Sequence, residues 1–200
     1  MYLIGVTGNI ATGKSTLMQM LRELGAEVID ADQLAHDVIQ PGESGYLKVI
    51  GAFGQDIVQP DGTLVRALLG DVVFNDGERL RVLEQIVHPL VGERIAERLQ
   101  STTSPVVVLE AIKLFEAGLA ELCNEVWVLT SPKELQLARL RAGRGLTRAA
   151  AKTRVDAQAP QQQKAKRADV VIKNTGTLDD LRHTVEAEWA RIQQTLPSQP

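Results

Sequence analysis

The sequence predicts an α/β fold in three layers, α/β/α, built on a five-stranded parallel sheet. Two observations support this prediction: short apolar runs recur along the chain, and helical stretches separate them. The runs are continuously apolar rather than alternating, which is typical of parallel strands that helices cover on both faces. With 200 residues, 44% of them apolar and 24% charged, the chain is long enough for a single domain with a buried core.

The strands and the first helix follow from local patterns. After the first apolar run, Leu17, Leu21 and Leu24 recur at helical spacing, and Gly25 suits the end of that helix. A later run is rich in β-branched residues and follows Pro105. The predicted strands are residues 2–7, 27–30, 106–109, 126–130 and 169–173. We assign the core of the domain to residues 1–32, 104–140 and 167–200.

Two stretches interrupt the predicted sheet. Residues 33–103 are mostly helical in pattern, which predicts an inserted helical subdomain that is a candidate for substrate binding. Its predicted breaks are Gly42, Gly45, Pro60-Asp61-Gly62 and Asp76-Gly77. Residues 141–166 predict a helical hairpin. We expect residues 197–200 to be disordered.

Composition excludes several classes of protein. The single cysteine, Cys123, excludes an intramolecular disulfide framework and a four-cysteine zinc site, and it favours a cytoplasmic location. We expect Cys123 to be a small buried apolar side chain, and Trp127 and Trp189 to pack in the core. No run approaches the roughly 20 apolar residues of a membrane span, and the opening residues do not form a signal peptide. We expect no membrane, nucleic-acid or protein partner.

Charge is distributed unevenly along the chain. The net charge is −3, but residues 139–167 contain nine basic residues and one acidic residue, a local charge of +8 against −11 for the rest. A cationic segment on an acidic body favours a small ligand rich in phosphate over a long polyanion. The alternative interpretation is a solvated basic helix.

The strongest motif is Gly8-Asn9-Ile10-Ala11-Thr12-Gly13-Lys14-Ser15, which fits G-x-x-x-x-G-K-[ST] between a strand and a helix. Glycines let the backbone N–H groups point inward to phosphate oxygens, and the helix N-terminus adds partial positive charge. Lys14 is the candidate ligand of the β- and γ-phosphates, and the Ser15 hydroxyl is the candidate ligand of Mg²⁺. A strand-to-helix turn without a nucleotide is the alternative. The candidate ATP-binding residues here are Gly8, Ala11, Thr12, Gly13, Lys14, Ser15 and Thr16.

Carboxylates follow two of the predicted strands. The second strand ends at Asp30-Ala31-Asp32, and ligands of open parallel sheets bind at the carboxyl ends of strands. Asp32 is a candidate to orient an acceptor hydroxyl and take its proton; the alternative is a helix N-cap. Asp30 is a candidate for a cap or for a Mg²⁺ ligand through water. Glu110 closes the third strand in an arrangement that resembles Walker B, which predicts a contact with Mg²⁺ through water.

With these residues the chain resembles the dephospho-CoA kinase family, the enzymes of the last step of coenzyme A biosynthesis. Beyond the P-loop, no single segment is specific for this family. The order and spacing that the segments share are specific for it. The segments that carry the resemblance are Ile4 to the P-loop, Val28-Ile29-Asp30-Ala31-Asp32, Asp61-Gly62-Thr63-Leu64-Val65-Arg66, His88-Pro89-Leu90, Leu114-Phe115-Glu116, the set Arg139, Arg144, Arg154 and Gln158, then Ala168-Asp169 and Ile172-Lys173-Asn174.

The resemblance implies an activity and further roles. ATP, with Mg²⁺, would phosphorylate the ribose 3′-hydroxyl of dephospho-CoA, with Lys14 and Asp32 as catalytic residues. The insertion would bind the CoA portion, and residues 141–166 would form a lid that brings Arg144 to the ATP phosphates. Substrate contacts would come from Asp32, Arg66, His88 and Glu110, although a histidine before a proline more often starts a helix or packs.

The chain departs from the family pattern at two places. Glu110-Ala111-Ile112-Lys113 stands where the family has an acid, an aliphatic residue and a proline, which leaves the role of Glu110 open. Asn9 and Ala11 occupy P-loop positions where glycines are common.

A P-loop also occurs in other classes of protein. Another small-substrate P-loop kinase, acting on a nucleoside or a nucleoside monophosphate, is the nearest alternative. A GTPase is disfavoured because D-x-x-G and N-K-x-D motifs are absent, and a nucleic-acid ATPase because no aromatic-rich basic stripe occurs.

Overall fold

The computed structural model describes residues 1–196, the side chain of Phe74 excepted. The expected disordered tail, residues 197–200, lies outside this part of the chain. Two compact units are present: Met1–Ile29 together with the chain from Thr102 onward, called here the sheet unit, and Asp30–Ser101, called the helical unit.

The sheet has five strands in the order β2-β3-β1-β4-β5, which confirms the predicted α/β class. β1 lies in the centre and pairs in parallel with β3 and β4, and β4 pairs in parallel with β5. Because β1 is central, the residues that follow it emerge in the middle of the carboxyl edge, where parallel sheets bind ligands. The strands are β1 Tyr2–Gly8, β2 Glu27–Asp30, β3 Val106–Glu110, β4 Glu125–Thr130 and β5 Val170–Lys173.

Within residues 1–196, one helix follows β1 and one follows β5, four follow β2 and three follow β4, and a 3-10 turn separates β3 from β4. Short 3-10 turns occur at Gln55–Ile57 and Leu119–Leu122. The helices are α1 Lys14–Glu23, α2 Ala31–Asp37, α3 Ser44–Phe53, α4 Arg66–Phe74, α5 Gly77–Ser101, α6 Lys133–Arg144, α7 Arg148–Asp156, α8 Gln161–Ala165 and α9 Leu178–Thr195.

The core of the sheet unit lies between the sheet and α1 with α9. Leu17 and Leu21 of α1 are fully buried, and Trp127 and Trp189 belong to the same cluster, as predicted. Full burial of a leucine side chain stabilises a fold by roughly 1.5–3 kcal/mol. α1 ends in a Schellman motif, because Gly25 N–H donates to Arg22 O and Ala26 N–H donates to Leu21 O.

The helical unit is organised on α5, which is 25 residues long and continues through Pro89. Its buried side chains include Leu90 and Ile95. The predicted break at Gly45 is wrong: Gly45 lies in the first turn of α3, where a Cβ atom would collide with the carbonyl of Val38. This glycine is therefore required for close packing and does not interrupt a helix.

Cys123 is half-buried, less than the buried side chain predicted, and its Sγ donates weakly to Leu119 O at 3.4 Å. Burial raises the pKa of the thiol to about 11. The side chain also fills the space beside Gly5, where a Cβ atom would lie 2.8 Å from its sulfur. Its structural role is therefore close packing against β1.

Candidate active site

The P-loop lies between the end of β1 and the start of α1, and both of its motif glycines are required sterically. Gly13, the N-cap of α1, has φ 103°, and a Cβ atom there would collide with the side-chain amide of Asn174. A Cβ atom at Gly8 would lie 2.6 Å from Leu129 O. Ala11 has φ 58° and is the one non-glycine residue of the described chain with a positive φ. The loop therefore holds a conformation that ordinary residues rarely adopt.

The start of α1 presents donors to an anion. Its N-cap supplies no side-chain hydrogen bond, and its first turn contains no acidic residue. The first N–H groups of a helix need acceptors from outside the helix, which a phosphate provides. Lys14 Nζ donates to Gly8 O at 3.0 Å, so its ammonium group lies back across the loop. Ser15 is exposed and Thr16 is half-buried in the same turn.

A cluster of polar groups holds the loop carbonyls from behind. Arg139 Nη1 donates to Thr12 O at 3.1 Å and to Ala11 O at 3.3 Å, and Asn174 Nδ2 donates to Thr12 O at 2.8 Å. Ser131 Oγ accepts from Arg139 at 2.9 Å. A trans peptide directs its C=O and N–H groups to opposite sides. Fixing the Thr12 carbonyl therefore turns the Gly13 N–H away from this cluster.

Arg139 is partly desolvated in that position, and this burial lowers the pKa of its guanidinium from the ordinary value. Its hydrogen bonds go to the loop carbonyls and to Ser131 and Asn174. Arg139 therefore supports the P-loop from behind, and the sequence offered no signal for this contact because its partners lie far apart along the chain.

Glu110 ends β3 directly beside the P-loop strand, since it pairs with Val6 of β1. The segment that departs from the family pattern comes next. The carbonyl of Ile112 accepts from the Thr7 hydroxyl at 3.1 Å and from Lys164 Nζ at 2.5 Å. Lys164 is a buried ammonium group, and its position here was not predicted from the sequence. The turn after β3 is therefore fixed to both β1 and α8.

The cationic stretch begins inside a helix. α6 runs to Arg144, and the rest of the stretch contains α7 and α8. α6 and α7 pack through a small cluster that includes Leu140 and Val155. Arg144 is exposed at the end of α6, beside the left-handed Gly145. A helical hairpin is thus formed by α6 and α7, with Arg144 at its bend, and the predicted bounds of 141–166 are wrong because the first helix begins at Lys133.

In the helical unit, α2 begins immediately after β2. Asp30 is its N-cap and accepts from the Gln33 N–H at 2.9 Å. The N-cap alternative for Asp32 is therefore wrong, because Asp32 lies within the first turn of the helix and is half-buried. The turn also breaks the shared strand face that the two carboxylates would otherwise have.

Arg66 begins α4 and is exposed. The preceding turn is fixed by Asp61, whose carboxylate accepts from the Thr63 N–H at 2.9 Å and from its hydroxyl at 2.7 Å. These hydrogen bonds lower the pKa of Asp61. The turn that precedes α4 is therefore fixed by hydrogen bonds of its own residues.

His88 lies within α5 rather than at a helix start, and it is exposed rather than packed, so neither alternative for this residue is correct. It borders an open cavity of about 400 Å³ that is lined by Arg81, Glu84, Gln85, His88 and Pro89.

The described residues contain no group of three or more His, Cys, Asp or Glu side chains able to hold a metal ion. None of the helices within residues 1–196 is both long and apolar enough to cross a membrane.

The fold and the P-loop define the class first: this is a P-loop kinase fold. A shikimate kinase from Bacteroides thetaiotaomicron shares it with a TM-score of 0.54 at 15% identity, over 96% of this chain and 98% of that one. At that identity the likeness concerns the fold alone.

The family follows from closer similarity. The profile of the family described as dephospho-CoA kinase matches residues 2–180. A dephospho-CoA kinase from Geobacter sulfurreducens is 43% identical over 195 residues, which cover 96% of this chain and 98% of the relative. One from Carboxydothermus hydrogenoformans is 44% identical, with 94% of each chain covered. The chain belongs to the dephospho-CoA kinase family.

Solved structures agree with this assignment. A dephospho-CoA kinase from Campylobacter jejuni matches with a TM-score of 0.71 and 31% identity, over 96% of this chain and 98% of that one. The structure of TT1252 from Thermus thermophilus matches with a TM-score of 0.84 and 37% identity, over 95% and 97%. The activity of the family is the ATP-dependent phosphorylation of dephospho-CoA, and the nucleoside and nucleoside monophosphate kinase alternative is not favoured.

Proposed function

We propose that the P-loop binds the triphosphate of ATP and that Asp32 prepares the ribose 3′-hydroxyl of dephospho-CoA for phosphorylation. The observation that carries this proposal is the constrained P-loop. Gly13 has a left-handed conformation, the Thr12 carbonyl is hydrogen-bonded to Asn174, and the start of α1 has no side-chain cap. Together these features leave main-chain N–H groups available for phosphate oxygens. N–H donors of this kind stabilise the negative charge that develops on the phosphate oxygens during phosphoryl transfer. They need no rearrangement at that step because the loop already holds them in position.

On the ATP side, Gly8, Ala11, Thr12 and Gly13 shape the loop, and Lys14 leaves the Gly8 carbonyl for the β- and γ-phosphates. Thr16 lies in the same first turn of α1 and supports the phosphates from there.

The types of donor also fit Mg²⁺, because the hydroxyl of the exposed Ser15 and the carboxylates of Asp30 and Glu110 are oxygen ligands, which this ion prefers. Ser15 would hold the ion directly, and Asp30 or Glu110 would hold it through water. When bound, the ion neutralises phosphate charge.

On the acceptor side, Asp32 orients the 3′-hydroxyl and accepts its proton as the hydroxyl oxygen attacks the γ-phosphorus. Arg66 and His88 are exposed on α4 and α5 and contact polar groups of dephospho-CoA, and Glu110 is the further substrate contact. A carboxylate suits the role of Asp32 because it accepts a hydrogen bond from the hydroxyl and is negatively charged when that proton arrives.

Residues 141–166 act as the lid. Arg144 stands at the bend between α6 and α7 and reaches the ATP phosphates when this bend closes. Closure excludes water, which would otherwise accept the phosphoryl group. With the single half-buried Cys123 thiol, we place the reaction in the reducing cytoplasm, with ATP and dephospho-CoA as its partners.

Two variants test the proposed division of roles. Asp32→Asn should bind ATP normally and turn over about 10²- to 10⁴-fold more slowly, the usual contribution of a general base. Lys14→Ala should weaken ATP binding itself, measured by calorimetry without acceptor. Loss of less than about tenfold in Asp32→Asn, or normal ATP binding by Lys14→Ala, contradicts the corresponding role. Asp37→Asn, an exposed carboxylate at the other end of α2, is the matched control.

A further inference from the structure

The segment that returns from α7 to α8 is hydrogen-bonded to the P-loop at two adjacent positions. The Ile10 N–H donates to Gln158 Oε1 at 2.7 Å. Asn9 Nδ2 donates in the opposite sense to Ala159 O at 2.9 Å. Both bonds join parts of the chain about 150 positions apart, so they are tertiary contacts and not local turn geometry.

These bonds satisfy groups that the loop cannot satisfy itself. A main-chain N–H at a turn requires an acceptor, and the side chain of Gln158 supplies one to Ile10. Asn9 is 5% exposed, so its amide needs partners within the protein. This explains why asparagine stands where glycine is common: its side chain bridges the loop to the return segment.

The return segment is itself held firmly. Gln161 accepts from the Ser131 N–H at 3.1 Å and donates to Ser131 O at 2.8 Å. Lys164 donates to Ile112 O at 2.5 Å. Because these contacts attach α8 to the loops after β4 and β3, Gln158 is presented to the P-loop from a fixed support.

We propose that Gln158 and Asn9 are positioning residues for the ATP site, which hold the first half of the P-loop in the conformation that receives the phosphates. Arg139 and Asn174 hold the second half through the carbonyls of Ala11 and Thr12. The loop is thereby fixed from two directions, and Gln158 does so from the base of the lid. The inference rests on the proposed binding of ATP phosphates at the P-loop.

The test is Gln158→Met, which keeps the length of the side chain and removes the strong acceptor. We expect the Kd and KM for ATP to rise about fivefold, the usual effect of one hydrogen bond, with the KM for dephospho-CoA unchanged and the Tm lowered by only about 2–4 °C. Gln163→Met is the matched control, since Gln163 is an exposed glutamine of α8. Asn9→Ala should give the same selective change, and the double variant should lose less than the sum of the two.

An unchanged Kd for ATP in Gln158→Met and Asn9→Ala would overturn the inference. Equal increases in both KM values together with a larger fall in Tm would overturn it as well, because they indicate a general structural role. Lys14→Ala distinguishes the two levels of the argument. If that variant loses ATP binding while Gln158→Met does not, only this inference fails; if it binds ATP normally, the proposed phosphate site fails.

Discussion

Replacing Gly13 by alanine tests the P-loop geometry through two separable costs. The backbone at this residue has φ 103°, and left-handed backbone costs an L-residue roughly 1–2 kcal/mol. The new Cβ atom also meets the side-chain amide of Asn174, which donates to Thr12 O at 2.8 Å. Displacing that amide costs roughly 1–2 kcal/mol more, from a lost hydrogen bond and local strain. The total is about 2–4 kcal/mol.

For a chain of 200 residues this cost corresponds to a fall in Tm of about 4–16 °C. The assay is thermal unfolding with calorimetric titration of ATP, and ATP binding should weaken because the Gly13 N–H moves. Gly118→Ala is the matched control: φ is 72°, but nothing lies within 4 Å of its Cβ position, so it carries the backbone cost alone.

A second background isolates the collision. In Asn174→Ala the obstructing amide is absent, so the further loss caused by Gly13→Ala should shrink toward that of Gly118→Ala. If Gly13→Ala is as stable as Gly118→Ala and binds ATP normally, the reasoning about the Asn174 contact is refuted.

Three further predictions concern charge and reactivity. Arg144→Gln should lower kcat by about 10²-fold and leave the KM for dephospho-CoA unchanged. The control is Arg182→Gln, which should have no effect because Arg182 pairs with Glu23 on the surface. An unchanged kcat in Arg144→Gln would contradict the lid role of Arg144. Burial would raise the pKa of Glu125, but hydrogen bonds from Arg191, Trp127 and Tyr2 outweigh burial and lower this pKa. The contribution of the Glu125 carboxylate to stability is therefore present above pH about 4.5 and is lost as the pH falls further. In urea unfolding, Glu125→Gln should have a lower free energy of unfolding than the parent protein at about pH 6, and this difference should disappear by about pH 3. A difference that does not depend on pH contradicts this prediction. With the pKa of Cys123 raised to about 11, a thiol reagent at pH 8 should react about 100-fold more slowly than with the urea-unfolded chain, and equal rates would be contrary to the burial described.

The parts of the structure that sequence predicted well depend on local pattern. Continuous apolar runs such as 106–109 are typical of buried parallel strands between helices, and the strand bounds in the structure differ from the predicted ones by at most one residue. The P-loop was predictable for the same reason, because Gly8, Gly13 and Lys14 satisfy their steric and chemical requirements within eight residues. Helix α1 likewise combined periodic leucines with Gly25.

What sequence could not provide are contacts between distant segments. Asn174, Arg139 and Gln158 each bond to the P-loop, but they lie more than 120 positions away, and nothing in their local sequence indicates a partner. The choice between Asp30 and Asp32 as helix cap was also undecided, because both residue types suit an N-cap. It depends on the residue at which β2 turns into α2, and the structure places that turn at Ala31.

The most direct test of the proposed function is to measure ADP release with Mg-ATP against a panel of acceptors and to identify the product by mass. The acceptors are dephospho-CoA, adenosine, AMP, dCMP and water. Release only with dephospho-CoA, together with a product of the mass of coenzyme A, is the predicted result. Release with a nucleoside or a nucleoside monophosphate instead would keep the P-loop and contradict the acceptor site assigned to Asp32 and Arg66. Release with water alone would contradict phosphoryl transfer to an alcohol altogether.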